Sequence, residues 1–92
     1  MVEENNEIYY LQYSILTDSI YINRFNINVK YRNKKYSYKI INDLITKYNL
    51  PIVLECWPTL IPFYKKLGFN YLYEDQILST LYSGYVEMIK KI

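Results

Sequence analysis

Hydrophobic and polar residues alternate over the first third of the chain, as in strands that bury one face. Within residues 7–16 the apolar side chains stand at every second position, at Tyr9, Leu11, Tyr13 and Ile15. The turn sequence Thr17-Asp18-Ser19 separates this segment from a second strand pattern at residues 20–29. The pattern predicts an antiparallel hairpin, preceded by a flexible and acidic N-terminus at residues 1–6.

The spacing of apolar positions changes to that of a helix in the next segment. Between residues 39 and 50 the apolar positions are Ile40, Ile41, Leu44, Ile45 and Tyr48. Asn49-Leu50-Pro51 ends this predicted helix, because proline cannot continue it. The apolar run PIVLEC at residues 51–56 then predicts a short strand. A strand, helix, strand order implies a right-handed crossover, so the strands at 20–29 and 51–56 are predicted to be parallel neighbours.

The last third of the chain predicts one more helix and two more strands. We expect Thr59 to cap a helix that runs to Leu67, with Pro62 in its first turn and Gly68 as its stop. Strands are predicted at residues 69–73 and 84–89, with a loop between them. The predicted order is ββαβαββ, an α/β mixed sheet in a single domain over residues 7–92.

Composition excludes several classes of chemistry. The 92 residues contain no histidine, which rules out Ser/His/Asp and Cys/His catalysis and removes the commonest transition-metal ligand, so we expect no metal. Cys56 is the single cysteine, so no intramolecular disulfide is expected and Cys56 is predicted to be a small buried residue. Short apolar runs and an acidic start predict neither a membrane span nor a signal peptide, which favours the cytoplasm.

Basic residues are concentrated between the second predicted strand and the first predicted helix. The cations within ten positions are Lys30, Arg32, Lys34, Lys35 and Lys39. Exposed N–H groups and the positive end of a helix dipole bind phosphate at such a place, and nearby cations strengthen the binding. A solvated connector is an equally weighted interpretation. A nucleic-acid surface, with Tyr31, Tyr36 and Tyr38 as stacking groups among the cations, ranks third, because the rest of the chain is not basic.

Two segments of the chain resemble the GNAT superfamily of acetyl-CoA-dependent N-acetyltransferases. The segment NVKYRNKKYSYKII at residues 28–41 resembles the family's R/Q-x-x-G-x-G/A loop and the helix after it. The segment IPFYKKLGF at residues 61–69 resembles the family helix that carries a tyrosine in a sequence much like FYeklGF. The resemblance covers the chain after residue 7. It implies that the two central parallel strands splay apart and that acetyl-CoA binds in the gap between them.

The resemblance also implies which residues contact the cofactor. The main chain of Ile27, Asn28 and Val29 would bind the acetyl carbonyl. Arg32 would open the pyrophosphate loop, whose backbone amides would come from Asn33, Lys34, Lys35, Tyr36 and Ser37. Lys35 stands where the family has a glycine, which allows dihedrals that lysine disfavours. Either the loop has an ordinary helical start and Lys35 adds charge, or cofactor binding is weakened.

Two residues are the implied catalytic groups. Tyr64 matches the family tyrosine that protonates the leaving thiolate; the competing interpretation is one more buried tyrosine among 13. Glu55 stands where some members keep a general base; the alternative is a glutamate paired with a lysine at a sheet edge. Phe63 and Leu67, one helical turn apart, are predicted to face the core.

The resemblance implies an N-acetyltransferase that moves an acetyl group from acetyl-CoA to an amine of a protein or a small molecule. The alternative is a degenerate GNAT domain without catalysis that acts as a protein-binding or inhibitory module. Reduced members of this size are known among phage and mobile-element proteins, including enzymes that modify CRISPR nucleases. The segments that usually build one wall of the acceptor site are missing here, so a homodimer is a further expectation.

Overall fold

A computed structural model of the protein describes residues 1–73 and 84–92. The strands are β1 (Val2–Asn5), β2 (Tyr9–Ile15), β3 (Ile20–Ile27), β4 (Ile52–Cys56), β5 (Asn70–Tyr71) and β6 (Val86–Lys90). The helices are α1 (Tyr36–Tyr48) and α2 (Ile61–Lys66), with 3₁₀ turns at Val29–Tyr31 and Pro58–Leu60. The strands form one mixed sheet in the order β1-β2-β3-β4-β6-β5. The predicted α/β class, the hairpin of β2 with β3 and the parallel pairing of β3 with β4 are confirmed.

The N-terminus differs from the prediction. Residues 1–6 were expected to be flexible, but Val2–Asn5 form β1 and pair antiparallel with β2, from Val2 opposite Tyr13 to Asn5 opposite Tyr10. The Tyr9 hydroxyl also donates to Glu4 Oε1 over 2.7 Å. β1 has a single apolar residue, Val2, so hydrogen bonds to β2 hold it in place rather than burial. Its sequence therefore has no alternation of apolar and polar residues that would predict a strand. The described order is therefore βββαβαββ.

The core lies on one face of the sheet, where both helices pack. One buried cluster joins residues of the strands to residues of both helices and to the cap of α2, namely Leu11, Tyr13, Ile20 and Ile52, Ile41 and Leu44 of α1, Tyr64 of α2 and its C-cap Leu67. The hydroxyls of Tyr13 and Tyr48 also meet at 2.9 Å between strand and helix. The opposite face, here called the outer face, carries Gln12, Tyr21, Val53, Glu55 and Glu87. No helix within residues 1–73 and 84–92 covers it.

The two parallel strands part partway along their length. β3 and β4 pair only from Ile20 opposite Ile52 to Ile22 opposite Leu54. Asn23 is an extra residue in β3, because Tyr13 lies opposite Ile22 and the preceding residue of β2 lies opposite Arg24. A bulge of this kind bends its strand and increases the local twist. Beyond the bulge β3 continues beside β2 while β4 continues beside β6, which opens a gap between the parallel strands.

The helix boundaries follow the turn chemistry more closely than the apolar pattern. α1 ends where expected, at Asn49, whose φ is 54° and whose N–H donates to Ile45 O over 2.7 Å. Gly68, with φ 99°, stops the second helix as predicted. The predicted cap at Thr59 is wrong: Thr59 lies inside the 3₁₀ turn, which is closed by a bond from Leu60 N to Trp57 O, and α2 begins at Ile61.

The last two predicted strands are present but shorter or shifted. β5 keeps only Asn70–Tyr71 of the predicted 69–73, and β6 runs over Val86–Lys90 rather than 84–89. The loop predicted at residues 74–83 lies outside the described residues. In the part of the chain that is described, no helix has the length and apolar character needed to cross a membrane.

Candidate functional site

A cavity of about 360 Å³ lies between the end of β3, the start of α1 and the helix α2. It brings together seven residues that the sequence assigned to a site: Ile27, Arg32, Asn33, Lys35, Tyr36, Ser37 and Tyr64. It also has lining residues that sequence reasoning did not assign, namely Phe25, Asn26, Tyr31, Leu60 and Phe63. The splayed strands thus place the basic loop and the helix with Tyr64 on one concave surface.

Three of the residues assigned to cofactor binding lie away from this cavity. Asn28 and Val29 line a separate shallow cavity of about 370 Å³ beside Tyr10 and Arg32. The side chain of Asn28 accepts a hydrogen bond from Lys30 N over 3.1 Å and so caps the 3₁₀ turn. Lys34 lines neither cavity and is exposed. Asn28 therefore has a structural role as a cap, and Lys34 faces solvent.

The main-chain groups that face the gap belong to residues slightly earlier in β3 than expected. Asn28 N donates to Ile8 O over 2.8 Å, and in an antiparallel ladder the groups of alternate residues point to opposite sides. The N–H groups of Phe25 and Ile27 therefore point toward β4, into the gap. The carbonyl of Ile27 accepts Arg32 Nε over 2.9 Å, which ties the loop to the strand end. Phe25 lies two residues before Ile27 in β3, so the alternation along the strand is the sequence signal that would have identified it.

The loop before α1 has the backbone of a glycine turn without a glycine. Lys35 has φ 64° and ψ 16°, and Asn33 has φ 65°, so both are left-handed. Asparagine tolerates this region, whereas lysine is strained there by roughly 1 kcal/mol. The first of the two alternatives, an ordinary helical start, is therefore not the geometry observed. The loop keeps the conformation that a glycine would favour, and Lys35 adopts it.

The strain at Lys35 gives a prediction for stability. Lys35→Gly is expected to raise the free energy of unfolding by about 1 kcal/mol, because glycine adopts a positive φ without steric cost. Lys34→Gly is the matched control, since it removes the same charge at a neighbour whose φ is not positive. It should leave stability unchanged or lower it slightly. Urea unfolding measures both, and a Lys35→Gly protein no more stable than the parent would contradict the left-handed turn.

The start of α1 is open to an anion. No side chain caps the helix, and its first turn contains no acidic residue. The first intrahelical bond joins Lys39 N to Lys35 O over 3.3 Å, so the N–H groups of Tyr36, Ser37 and Tyr38 have no intrahelical acceptor. Arg32 adds charge beside them, and its guanidinium keeps donors beyond those used on Ile27 O and on Asn26 Oδ1 at 3.1 Å. Such a helix terminus binds phosphate.

Tyr64 lies at the inner end of this cavity and is 7% exposed. Its ring meets the rings of Phe63 and Phe69 edge-on, at 5.0 and 5.5 Å between centroids. Burial, with a smaller contribution from Cys56, raises the pKa of the Tyr64 phenol to about 12. Among the described residues its hydroxyl has no hydrogen-bond partner. Buried hydroxyls nearly always have one, so this group is available to a ligand.

The second helix is rotated relative to the predicted orientation. Phe63 was expected to face the core with Leu67, but Phe63 is 41% exposed and lines the cavity, whereas Leu67 is buried as predicted. Tyr64 and Leu67, three positions apart, form the buried stripe instead. The helix starts at Ile61 after a 3₁₀ turn, and this start sets which side chains point inward.

Glu55 lies on the other side of the gap. It lines a third cavity, of about 200 Å³, which it shares with Tyr64 and Trp57. The alternative of a lysine partner at a sheet edge is wrong, because β4 is an internal strand and Glu87 lies directly opposite Glu55. Tyr21 is the polar neighbour of Glu55: burial, the charge of Glu55 and a hydrogen bond to it raise the pKa of the Tyr21 phenol.

Cys56 has no feature of a nucleophile. It is buried, its Sγ lies 3.7 Å from Met88 Sδ, and burial raises the pKa of its thiol. A reactive cysteine needs a lowered pKa. In residues 1–73 and 84–92, no group of three or more potential metal ligands comes together.

Comparison with solved structures identifies the fold. No protein-family model matches the sequence, and no curated protein matches it. A GNAT-family acetyltransferase from Bacteroides thetaiotaomicron superposes with a TM-score of 0.69 at 23% identity, over 92% of this chain and 55% of that protein. A streptothricin acetyltransferase from Bacillus anthracis, solved with acetyl coenzyme A, superposes with a TM-score of 0.69 at 20% identity, over 92% and 56%.

One similar structure has nearly the same length. The anti-CRISPR protein AcrVA5 superposes with a TM-score of 0.66 at 20% identity, over 94% of this chain and 95% of that one. The chain thus spans about half the length of the two acetyltransferases and nearly all of AcrVA5. These superpositions show that this chain has the fold of the GNAT-family acetyltransferases.

Proposed function

We propose that the protein is an N-acetyltransferase that uses acetyl-CoA and transfers the acetyl group directly to an amine. One observation carries the proposal. The cavity beside the parted strands joins the uncapped start of α1 to the buried Tyr64 hydroxyl, which has no hydrogen-bond partner among the described residues. An anion site and a proton donor that line the same cavity fit a phosphorylated thioester.

The residues present fit acetyl-CoA at three places. The N–H groups of Tyr36 and Ser37, with the guanidinium of Arg32, would hold the diphosphate. The main-chain N–H groups of Phe25 and Ile27 would bind the chain of amides and the acetyl carbonyl along β3, in the manner of an added strand. The apolar side chains of Leu60 and Phe63 line the rest of the cavity.

Acetyl-CoA would supply an activated acetyl group on sulfur, and the chain's own residues would manage two protons. Tyr64, neutral because burial raises its pKa to about 12, donates its proton to the departing sulfur as the C–S bond breaks. Glu55 accepts the proton that the amine nitrogen loses as the new C–N bond forms, directly or through one water. Neither step requires a metal or a covalent enzyme intermediate.

The proposal is tested by calorimetric titration with acetyl-CoA, with CoA and with ADP as the partial ligand. We expect saturable binding of acetyl-CoA and CoA in the micromolar range and weaker binding of ADP, which carries the diphosphate but lacks the pantetheine chain that would lie along β3. Absence of acetyl-CoA binding at millimolar concentration would overturn the proposal.

The alternative function is a GNAT-fold module that binds a partner protein without catalysis. The strained lysine at the glycine position favours it, because a lysine Cβ and side chain restrict the approach of a phosphate to the turn. The similarity to AcrVA5, whose name gives an anti-CRISPR activity, is compatible with it. This module would fail the acetyl-CoA titration.

A homodimer that covers the outer face is compatible with both functions. The molar mass of the protein in solution, measured by light scattering, tests whether it forms.

A further inference from the structure

We propose that the cavity beside Glu55 is a subsite for an unbranched primary alkylammonium chain, of which a lysine side chain on a protein surface is the example. Trp57 and Tyr85 would pack against its methylene groups, and Glu55 would bind its nitrogen. This inference rests on the proposed acetyl transfer, for which it names the class of acceptor.

An exposed aromatic pair stands at the mouth of this cavity. The rings of Trp57 and Tyr85 are 4.3 Å apart between centroids and 31° from parallel, and the two residues are 53% and 45% exposed. Gly84, which precedes Tyr85, has a φ of 80° that residues with a side chain rarely adopt, and a Cβ there would make an ordinary contact with the Trp57 ring at 3.4 Å. Aromatic faces attract cations and pack against aliphatic chains. Two large rings held together at a cavity mouth therefore suit the stem of an alkylammonium ion.

The charges around the cavity favour a cation. Glu55 is exposed on the outer face and Glu87 lies directly opposite it, an arrangement of like charges that is unfavourable in a sheet. No lysine or arginine of the described residues forms an ion pair with either carboxylate. Arg24 is the one cation in the lining, and it comes from β3, across the gap from β4. Glu55 is the one carboxylate among the lining residues, and Glu87, on the neighbouring strand β6, adds a second negative charge beside it.

The size of the cavity selects a single side chain. Its volume of about 200 Å³ is below the roughly 300 to 1,000 Å³ typical of sites that enclose a whole small molecule. Tyr64 is buried and lines both this cavity and the larger one, so a chain that entered nitrogen first would approach the proposed position of the thioester. The rest of such an acceptor would stay outside the cavity, on the exposed surface around Trp57.

Trp57 is the only tryptophan of the chain, so its fluorescence reports directly on this cavity. We expect n-pentylammonium to change the emission saturably, and n-pentanol, of the same length without charge, to bind at least about fivefold more weakly. Glu55→Gln should weaken pentylammonium binding by a similar factor. Glu3→Gln, an exposed carboxylate of β1 on the same face, is the matched control and should leave it unchanged. Equal binding of the two probes, or an unaltered Glu55→Gln protein, would overturn the subsite.

The aromatic pair is tested separately. Tyr85→Phe keeps the ring and should bind pentylammonium as the parent does, whereas Tyr85→Leu should bind several-fold more weakly. If both variants bind like the parent, the pair has no role. This readout needs no acetyl-CoA, so it separates the two proposals. Pentylammonium binding without acetyl-CoA binding contradicts the transferase and keeps the subsite, and the reverse result contradicts the subsite alone.

Discussion

Replacing Tyr64 by phenylalanine is expected to slow acetyl transfer by about 10²- to 10⁴-fold, the range typical of a positioned general acid. The substitution removes one oxygen atom and keeps the ring that packs against Phe63 and Phe69. Because the diphosphate is proposed to bind at the start of α1 and not at Tyr64, acetyl-CoA affinity should stay within about twofold. Single-turnover kinetics give the rate and calorimetry gives the affinity. A variant that transfers at the parental rate would remove Tyr64 from the mechanism.

The stability of the same variant distinguishes chemistry from packing. The Tyr64 hydroxyl has no hydrogen-bond partner among the described residues, so its removal should cost no stability at neutral pH. The pKa of Tyr64 is raised from 10.0 to about 12, so the stabilising contribution of the neutral phenol is complete below pH 10 and is lost as the pH rises through 12. Tyr64→Phe should therefore gain stability over the parent only above about pH 10, as urea unfolding at pH 7 and pH 11 would show.

Tyr71→Phe is the control for a general effect of removing a hydroxyl. Tyr71 is partly buried against the same core and lies under Lys65 Nζ, at 4.6 Å from the ring centroid, but it lines neither cavity that contains Tyr64. Its variant should keep both the transfer rate and the affinity. A comparable loss of rate in both variants would indicate that the hydroxyls act on folding or dynamics.

The sequence predicts the parts of the fold whose signal is local. The alternation in β2, the helical period in α1 and the stops at Asn49 and Gly68 each depend on a few neighbouring residues, and each is found where it was expected. The segment IPFYKKLGF resembles its family closely enough to place Tyr64 correctly on the second helix. Local pattern and family resemblance together therefore identify the architecture.

The remaining features depend on where one element begins relative to another. The bulge at Asn23 keeps Ile22 and Phe25 on the core side of β3, but a period-two pattern gives no sign of the extra residue. The orientation of Phe63 follows from a 3₁₀ turn that shifts the start of α2, which propensity does not specify. Lysine disfavours a positive φ, but the geometry of the whole turn imposes one on Lys35. Tertiary structure decides all three.

Ser37→Asp is expected to affect stability and cofactor binding in opposite directions. Ser37 is the second residue of α1, where a negative charge interacts favourably with the helix dipole and with the free N–H groups, so stability should rise by roughly 0.3 to 1 kcal/mol. The same charge would stand where the diphosphate is proposed to bind, and like charges at a contact cost several kcal/mol. Acetyl-CoA affinity should fall by at least about 30-fold. Urea unfolding and calorimetry on one preparation measure both quantities.

Two further variants separate local charge from net charge and from shape. Ser37→Asn keeps the size of aspartate without its charge and should bind acetyl-CoA within a few-fold of the parent. Thr46→Asp makes the same change in net charge at an exposed position near the other end of α1, where the dipole disfavours an anion. It should lower stability slightly and leave affinity unchanged. If Ser37→Asp bound acetyl-CoA like the parent, the diphosphate would not lie at the start of α1. Because a misfolded protein cannot be more stable than its parent, a stabilised Ser37→Asp variant that fails to bind would locate the diphosphate at this helix terminus.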